Sequence, residues 1–322
     1  MKYFGLVFLG TALILSGCVT NEQIHIPVEP AQGAFNLRDA RGIAQKAQEQ
    51  IATFHDGHRT ASNVLRVVYF CPKDSEPLPQ WQERLDRVMQ EISDFYGEGM
   101  RRFGFASEGL PLERKDGQVV LHVVHGPGPA DSYSYWSGSR TASEVRRTLA
   151  GKVDLDSEHV LVLYGLCRKE LDGRYVFHAP YYGGGNNRSG LCHAADCELL
   201  DPRLLVETNR HMVYTEHYYP RLEQTVAQFN SFYLGGIAHE LGHGLGLPHD
   251  AGSPWEQSND GTSLMADGNL HYREDRWGGS KPAFLSFASA LQLASHPLFT
   301  GSDRDRWKPA KGRFKDVARE LK

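Results

Sequence analysis

The chain has 322 residues, of which 40% are hydrophobic and 23% are charged, and its formal net charge is −4. These values are ordinary for a soluble globular protein that is long enough to bury a sizeable core. The mildly acidic balance gives no support for nucleic-acid binding, so no nucleic-acid partner is expected.

The first 18 residues, MKYFGLVFLGTALILSGC, have the layout of an export signal. Lys2 supplies a positive charge, and residues 3–15 form an apolar run that is short for a membrane span. The run ends in Leu15-Ser16-Gly17-Cys18, which resembles the lipobox of bacterial lipoproteins. That resemblance implies removal of residues 1–17, lipid on Cys18 and a lipid-anchored place in the cell envelope, at the outer membrane or the cell surface. An ordinary secretory signal and an uncut membrane anchor are the alternatives.

Four further cysteines follow, and an even number in an exported protein predicts two disulfides. Three pairings of the four cysteines are possible. Cys192 and Cys197 lie in one loop-like stretch and could pair locally, whereas Cys71 and Cys167 both end strand-like runs and could join adjacent strands. Free buried thiols are the alternative. A cysteine-based zinc site is disfavoured because no C-x-x-C spacing occurs.

The part of the chain before residue 183 alternates between strand and helix patterns after a tether and a first helix at 36–54. Strands are predicted at residues 64–70, 119–124, 159–166 and 175–182, and helices at 79–103 and 141–149. This alternation predicts a twisted, mostly parallel sheet with crossover helices. Pro180 places the last strand at an edge of that sheet, where it could pair with extended substrate.

The stretch between residues 183 and 219 gives weaker signals. Residues 183–187, GGGNN, predict a flexible loop. His193, His211 and His217 come next, among several tyrosines, and we interpret them as surface histidines and packed tyrosines. A second metal or a substrate-stabilising tyrosine is the alternative. Further on, helices are predicted at 226–244 and 283–294.

The most informative stretch is IAHELGHGLGLPHD, which contains the pattern H-E-x-x-H-x-x-G-x-x-H. His239 and His243 are four residues apart and therefore share one face of a helix. Glu240 can hold a water bound to a metal between them. Gly246 allows the helix to stop and the chain to turn back, which brings up His249 as a third ligand. Three nitrogen ligands with one open position are typical of a catalytic Zn²⁺ site.

The run HELGHGLGLPH resembles the metzincin clan of zinc metallopeptidases, and Asp250 after the third histidine resembles the adamalysin and matrixin type. The resemblance implies a two-lobed α/β (α+β) fold with an antiparallel edge strand, and one catalytic zinc. It also implies a Met-containing turn beneath that zinc, and residues 263–267, SLMAD, are the candidate. Met265 would pack beneath the site and would not be a metal ligand. Some metzincins have a tyrosine two residues after this methionine. In the present chain the residue at that position is Asp267, so this tyrosine is absent. Asp250 is expected to make a structural hydrogen bond.

The resemblance also predicts how the chain is divided. A signal peptide is expected at 1–17 and a tether with an N-terminal helix at 18–62. An upper catalytic lobe with the active-site helix is expected at 63–250, and a small C-terminal lobe with the Met turn and a closing helix at 251–322.

The expected function is that of a zinc-dependent metalloendopeptidase acting on extracytoplasmic proteins or peptides. In this scheme Glu240 takes a proton from water and passes it to the leaving amine. A zinc amidase acting on cell-wall peptide is one alternative. A catalytically silent binding protein with the same fold is another, although the intact Glu240 argues against it.

Overall fold

A computed structural model describes residues 35–55 and 62–302. The helices are α1 (Leu37–Phe54), α2 (Trp81–Arg102), α3 (Gly138–Thr148), α4 (Val226–Gly244), α5 (Pro254–Asp260), α6 (Phe287–Ser295) and α7 (Pro297–Thr300). The strands are β1 (Leu65–Cys71), β2 (Arg114–Lys115), β3 (Gln118–Val119), β4 (Leu121–His125), β5 (His159–Tyr164), β6 (Cys167–Lys169), β7 (Tyr175–Phe177), β8 (Tyr182–Gly185), β9 (Gly190–Ala195), β10 (His211–Thr215), β11 (Leu222–Thr225), β12 (Thr262–Ser263) and β13 (Ala283–Phe284).

The main sheet has the strand order β4-β1-β5-β9-β8. The first four strands are parallel, and β8 pairs antiparallel with β9 at the edge. All six residues of β5 are buried, as an apolar strand covered on both faces must be. The predicted α/β class, with a mostly parallel sheet and one antiparallel edge strand, is therefore confirmed.

A second sheet, with the order β11-β10-β7-β6, was not anticipated from the sequence. The prediction of one edge strand at 175–182 is wrong, because this stretch is divided between the two sheets. Residues Tyr175–Phe177 form β7 of the second sheet, and Tyr182 begins β8 of the first. Pro180 lies between them, where the missing N–H breaks the strand.

The prediction that 183–187 form a flexible loop is also wrong, because residues 183–185 belong to β8. Helix α4 lies directly against this edge of the sheet. A Cβ atom on Gly183 would lie 2.1 Å from the backbone oxygen of Glu240, and one on Gly190 would lie 1.9 Å from that of Gly244. The glycines are needed for this close approach of strands to helix, which is a different use from flexibility.

Helix α4 is buried around almost its whole circumference, including Phe229, Leu234, Ile237 and Leu241. A helix that is apolar on all sides is one that crosses the interior of a protein. It begins where the sequence predicts.

The predicted helix at 283–294 begins later, at Phe287, because residues 283–284 pair with Thr262–Ser263 as β13.

The four described cysteines are free thiols. The suggested local pairing of Cys192 with Cys197 is wrong because Cys192 lies within β9, not in a loop, and its thiol donates to the backbone oxygen of Glu240. The suggested pairing of Cys71 with Cys167 is not formed either. Burial and the neighbouring Cys197 thiol raise the pKa of Cys167.

The predicted signal peptide, Cys18 and the tether up to residue 34 lie outside the described residues, as does the tail from 303. Among the helices that are described, none has the length and apolar character needed to cross a membrane. The division into lobes at residue 250 stays a prediction.

Candidate metal centre

The helix α4 carries the first two histidines of the motif and has well-formed ends. Thr225 and Gln228 form a capping box at its start, where each side chain binds the other residue's backbone N–H. At its end, Gly246 has a φ of 82°, which a residue with a Cβ rarely adopts. This conformation ends the helix and turns the chain so that His249 comes back toward His239 and His243.

The three histidines converge through their Nε2 atoms. The Nε2 atoms of His239 and His243 are 3.0 Å apart, and those of His243 and His249 are 3.2 Å apart. Exposure increases along the triad, since His239 is buried, His243 is half-buried and His249 is exposed. The cluster therefore opens toward solvent on the side of His249.

Backbone carbonyls fix the orientation of two of these rings. His239 donates its Nδ1–H to Leu264 O at 2.7 Å, and His243 donates its Nδ1–H to Leu247 O at 2.9 Å. Because a carbonyl can only accept, each Nδ1 must carry the proton and each Nε2 must present a lone pair. This is the orienting contact that metal-binding histidines usually have.

The donor set fits a single Zn²⁺ ion. Neutral nitrogens at 3.0 and 3.2 Å with lone pairs directed at one another repel unless a cation lies among them. Tetrahedral bonds of about 2.0 Å place two nitrogens about 3.3 Å apart, close to the spacing found. Burial also lowers the pKa of His239 to about 4, which keeps the ring neutral and able to bind a metal.

Glu240 is buried beside the triad and lines an adjoining pocket. Burial raises the pKa of its carboxyl group to about 8, although the Gly183 N–H donates to it and lowers the pKa in part. A divalent cation nearby would favour the charged form. The carboxyl group therefore lies beside the triad and has a proton affinity that allows it to accept and return a proton near neutral pH.

Met265 packs against α4 next to the triad, and Asp250 makes hydrogen bonds that hold the chain just after His249. Met265 is fully buried, and a Cβ atom on Gly242 of α4 would lie 2.4 Å from its sulfur. Asp250 donates its backbone N–H to Met265 O, and its carboxylate accepts from Gly252 N at 3.0 Å and from the Ser286 hydroxyl. These are structural hydrogen bonds, as the sequence predicts for Asp250. The family role of Met265 stays a prediction.

A pocket that sequence reasoning missed opens next to Glu240. Its walls come from five separate parts of the chain, and they include Tyr135, Tyr181, Glu216, Tyr218, Tyr219, Tyr233 and Asn269. Burial raises the pKa of Glu216 to about 7, partly offset by hydrogen bonds from the backbone of Tyr218 and Tyr219. The tyrosines at 218 and 219 had been interpreted as packed side chains, and the only signal for a site was their crowding.

The other histidines singled out in the sequence do not join the metal centre. His193 is buried in β9, where its Nδ1 lies 2.7 Å from the Tyr164 hydroxyl, so it is not a surface histidine. His211 is exposed on β10. His217 is exposed and stacks on Tyr135, with ring centroids 4.3 Å apart. Across residues 35–55 and 62–302, the motif triad is the one group of side chains arranged to hold a metal.

Comparison with known proteins gives a structural relationship only. No family model matches the chain, and no curated protein matches it. Wild-type OgpA from Akkermansia muciniphila matches in two crystal forms, with 27% and 25% sequence identity and TM-scores of 0.61 and 0.60. Catalytically inactive OgpA in complex with an O-glycopeptide substrate, glycodrosocin, matches with 24% identity and a TM-score of 0.58.

Each of these matches covers 79% of the present chain and 65% of the OgpA chain. The chain therefore shares the OgpA fold over most of its own length, while it spans less than two thirds of OgpA.

Proposed function

We propose that this protein is a zinc-dependent peptidase that hydrolyses the backbone of O-glycosylated peptides or proteins. The observation that carries the proposal is the convergence of His239, His243 and His249 beside the buried carboxyl group of Glu240. The structural similarity to OgpA, for which an O-glycopeptide is a substrate, supports the choice of substrate class.

In this proposal, the histidine triad would hold the ion through its Nε2 atoms, while Leu264 O and Leu247 O keep two of the rings in position. A zinc ion bound there would supply Lewis acidity for a carbonyl group and for a water molecule. Glu240 takes the proton of the attacking water and delivers it to the leaving amine. Burial of Glu240 excludes bulk water from this transfer.

The edge strand β8 supplies a way to hold the peptide. It pairs with β9 on one side, and in the described part of the chain no strand pairs with its other side. An extended peptide can add to such an edge through main-chain hydrogen bonds. Gly183, within β8, packs against the backbone of Glu240, and its N–H lowers the pKa of the Glu240 carboxyl group, so the edge strand adjoins the proposed base.

The metzincin assignment, the role of Met265, the lipid on Cys18 and the location in the cell envelope are part of the same proposal. A lipid-anchored peptidase outside the cytoplasm would meet glycoproteins or glycopeptides at the cell surface. Residues 1–34, which include Cys18, lie outside the described structure.

The proposal is tested by incubating the zinc-loaded full chain with an O-glycosylated peptide and, separately, with purified cell-wall peptide. We expect mass spectrometry to show two fragments of the glycopeptide and an intact cell-wall peptide. Hydrolysis of the cell-wall peptide alone would support the amidase alternative. Stoichiometric zinc without hydrolysis of either substrate would support a silent binding protein.

A further inference from the structure

The pocket beside Glu240 has the size of a recess for one substituent. Its enclosed volume is about 50 Å³, several times the roughly 10–15 Å³ that one water molecule requires. It therefore accepts a small polar group, such as a hydroxymethyl or part of an acetamido group, but not a whole sugar ring. A ring would have to rest at the mouth with one substituent pointing inward.

Two acidic side chains line this recess, Glu240 and Glu216. Glu216 follows β10, and burial raises the pKa of its carboxyl group while the nearby backbone N–H groups of Tyr218 and Tyr219 lower it in part. A carboxylate has about four acceptor sites, so capacity remains for a ligand. A half-buried carboxyl group is thus available to a substrate that brings hydrogen-bond donors.

The mouth of the recess is aromatic. The Tyr218 hydroxyl donates to the Tyr135 hydroxyl at 2.9 Å, and the Tyr135 ring stacks on His217. Trp136, whose ring centroid is 5.1 Å from that of His217, is 74% exposed. Tyr218, which lines the recess together with Glu216, is 39% exposed, so Tyr218 and Trp136 offer aromatic surface to the C–H face of a sugar. The carboxyl group of Glu216 offers an acceptor to the hydroxyl groups of that sugar.

We propose that Glu216 determines specificity for a glycosylated substrate residue, by accepting a hydrogen bond from a hydroxyl or amide of the sugar while the ring packs on the rim formed by Trp136 and Tyr218. This inference rests on the proposed function, because the recess adjoins Glu240 and would receive the residue next to the cleaved bond. A lysine or arginine side chain is the competing occupant of an acidic recess. The aromatic rim and the tyrosine hydroxyls favour the sugar.

The test compares kcat/KM for three peptides of one sequence: one with an O-linked N-acetylhexosamine on Ser or Thr, one unglycosylated, and one with Lys at that position. Loss of a hydrogen bond to a charged group reduces the rate constant by about 10- to 100-fold. We expect Glu216→Gln to lower the ratio of kcat/KM for the glycosylated to the unglycosylated peptide by that factor, mainly through KM. Glu223→Gln, on the exposed face of the neighbouring β11, is the matched control.

An unchanged ratio in Glu216→Gln, while the wild type cleaves the glycopeptide, would overturn this inference and leave the proposed function intact. A selective loss on the Lys peptide would show that the recess binds a cation. If the wild type cleaves only unglycosylated peptide, both proposals fail. Should turnover be too slow to measure, calorimetric binding of the glycopeptide to zinc-loaded Glu240→Gln, with and without Glu216→Gln, gives the same comparison.

A second inference concerns Cys167 and Cys197, and it is independent of the substrate. Strands β5 and β9 are parallel neighbours, and Tyr164 at the end of one pairs with Ala195 at the end of the other. The two cysteines follow just beyond these ends, and burial together with the neighbouring Cys197 thiol raises the pKa of Cys167. Arg84 holds the backbone oxygen of Cys197 at 2.7 Å, so its main chain is fixed.

We infer that Cys167 and Cys197 form a disulfide when the protein folds outside the cytoplasm. Both thiols lose a proton, one S–S bond forms, and two electrons pass to the disulfide of an exported thiol–disulfide oxidoreductase, which becomes a dithiol. The bond would tie β6 of the second sheet to the segment that follows β9 of the main sheet. The thiol of Cys192, which donates to Glu240 O, would stay free.

The experiment is mass spectrometry of the full chain isolated from an oxidising compartment, alkylated under denaturing conditions without a reductant. We expect one cross-linked peptide pair containing Cys167 and Cys197, with Cys71 and Cys192 alkylated. Alkylation of all four, or a different pair, would refute the inference. The Cys167→Ser/Cys197→Ser double variant should melt at a lower temperature than the wild type when oxidised, and the difference should shrink after reduction.

Discussion

The metal centre and the pocket beside it are neighbours that share Glu240, yet the chain builds them in different ways. The metal centre comes from one continuous stretch, residues 239–249, and its geometry follows from a helical period and one glycine turn. The pocket is assembled from segments around Tyr135, Tyr181, Glu216, Tyr233 and Asn269. The first arrangement suits a reaction that is the same for every substrate. The second suits the choice among substrates, because each of its segments can vary separately.

If this contrast is correct, substitutions in the two regions should have different signatures. Changes in the metal centre should reduce hydrolysis of every substrate, whereas changes in the pocket should alter the choice among substrates. The following predictions test this difference, beginning with the largest effect.

Replacing Glu240 with Gln should lower kcat for glycosylated and unglycosylated peptides alike, by about 10²–10⁴-fold, because the proton acceptor is lost. Zinc content measured by atomic absorption should stay at one ion per chain, since the three histidines are intact. Glu83→Gln, an exposed position on α2, is the control and should behave as the wild type. Equal activity of Glu240→Gln and wild type would remove Glu240 from the reaction.

Replacing His243 with Ala should weaken zinc binding by more than about 100-fold, since loss of groups that only orient a ligand already costs about 10- to 100-fold. Zinc that binds the folded form stabilises it by about 3–4 kcal/mol at 100–1,000 times Kd. We therefore expect added zinc to raise the melting temperature of the wild type but not of this variant. His211→Ala, exposed on β10, is the control. An equal zinc response in all three proteins would place the ion elsewhere.

Replacing Tyr218 with Phe should affect the pocket alone. It removes the 2.9 Å hydrogen bond to the Tyr135 hydroxyl at the mouth of the recess. A neutral hydrogen bond is worth about 3- to 10-fold, so the ratio of kcat/KM for glycosylated to unglycosylated peptide should fall by about that factor. The control is Tyr175→Phe in β7 of the second sheet, which loses the hydrogen bond from the Tyr175 hydroxyl to Glu198. The contrast between the regions fails if the Tyr218 variant loses activity equally on both peptides.

The last prediction concerns the scaffold that both regions share, and its effect is on stability, with none expected on the choice of substrate. Burial lowers the pKa of His193 in β9 to about 4, from an ordinary value of 6.5. The unfolded chain therefore binds a proton at this residue before the folded chain does, and stability falls as the pH drops from 6.5 to 4. The loss is at most about 3 kcal/mol. Urea unfolding from pH 4 to 7 should show a flatter profile for His193→Gln than for wild type or His211→Gln, and identical slopes would contradict this account.

The sequence predicts the metal centre because its information is local. The helical period aligns His239 with His243, and the need for a glycine at 246 is visible without the rest of the fold. Strands β1 and β5 were also predicted, since their apolar and β-branched residues are typical of buried strands.

Other parts of the fold depend on contacts between segments that are distant along the chain. Strand β9 reads GLCHAA and lacks β-branched residues, because its face must admit α4 at close range. The GGG of β8 was mistaken for a loop for the same reason. Glu216 belongs to the site only because the chain after β10 returns to α4, and no local pattern encodes that return.

The most direct test of the central claim is hydrolysis of an O-glycosylated peptide in H₂¹⁸O by the zinc-loaded full chain, followed by mass spectrometry of the products. The account predicts two peptide fragments, with one ¹⁸O in the new terminal carboxyl group and the sugar still attached to the fragment that carries the glycosylated residue. Release of free sugar from an intact peptide, or no conversion by protein that holds one zinc ion, would contradict it.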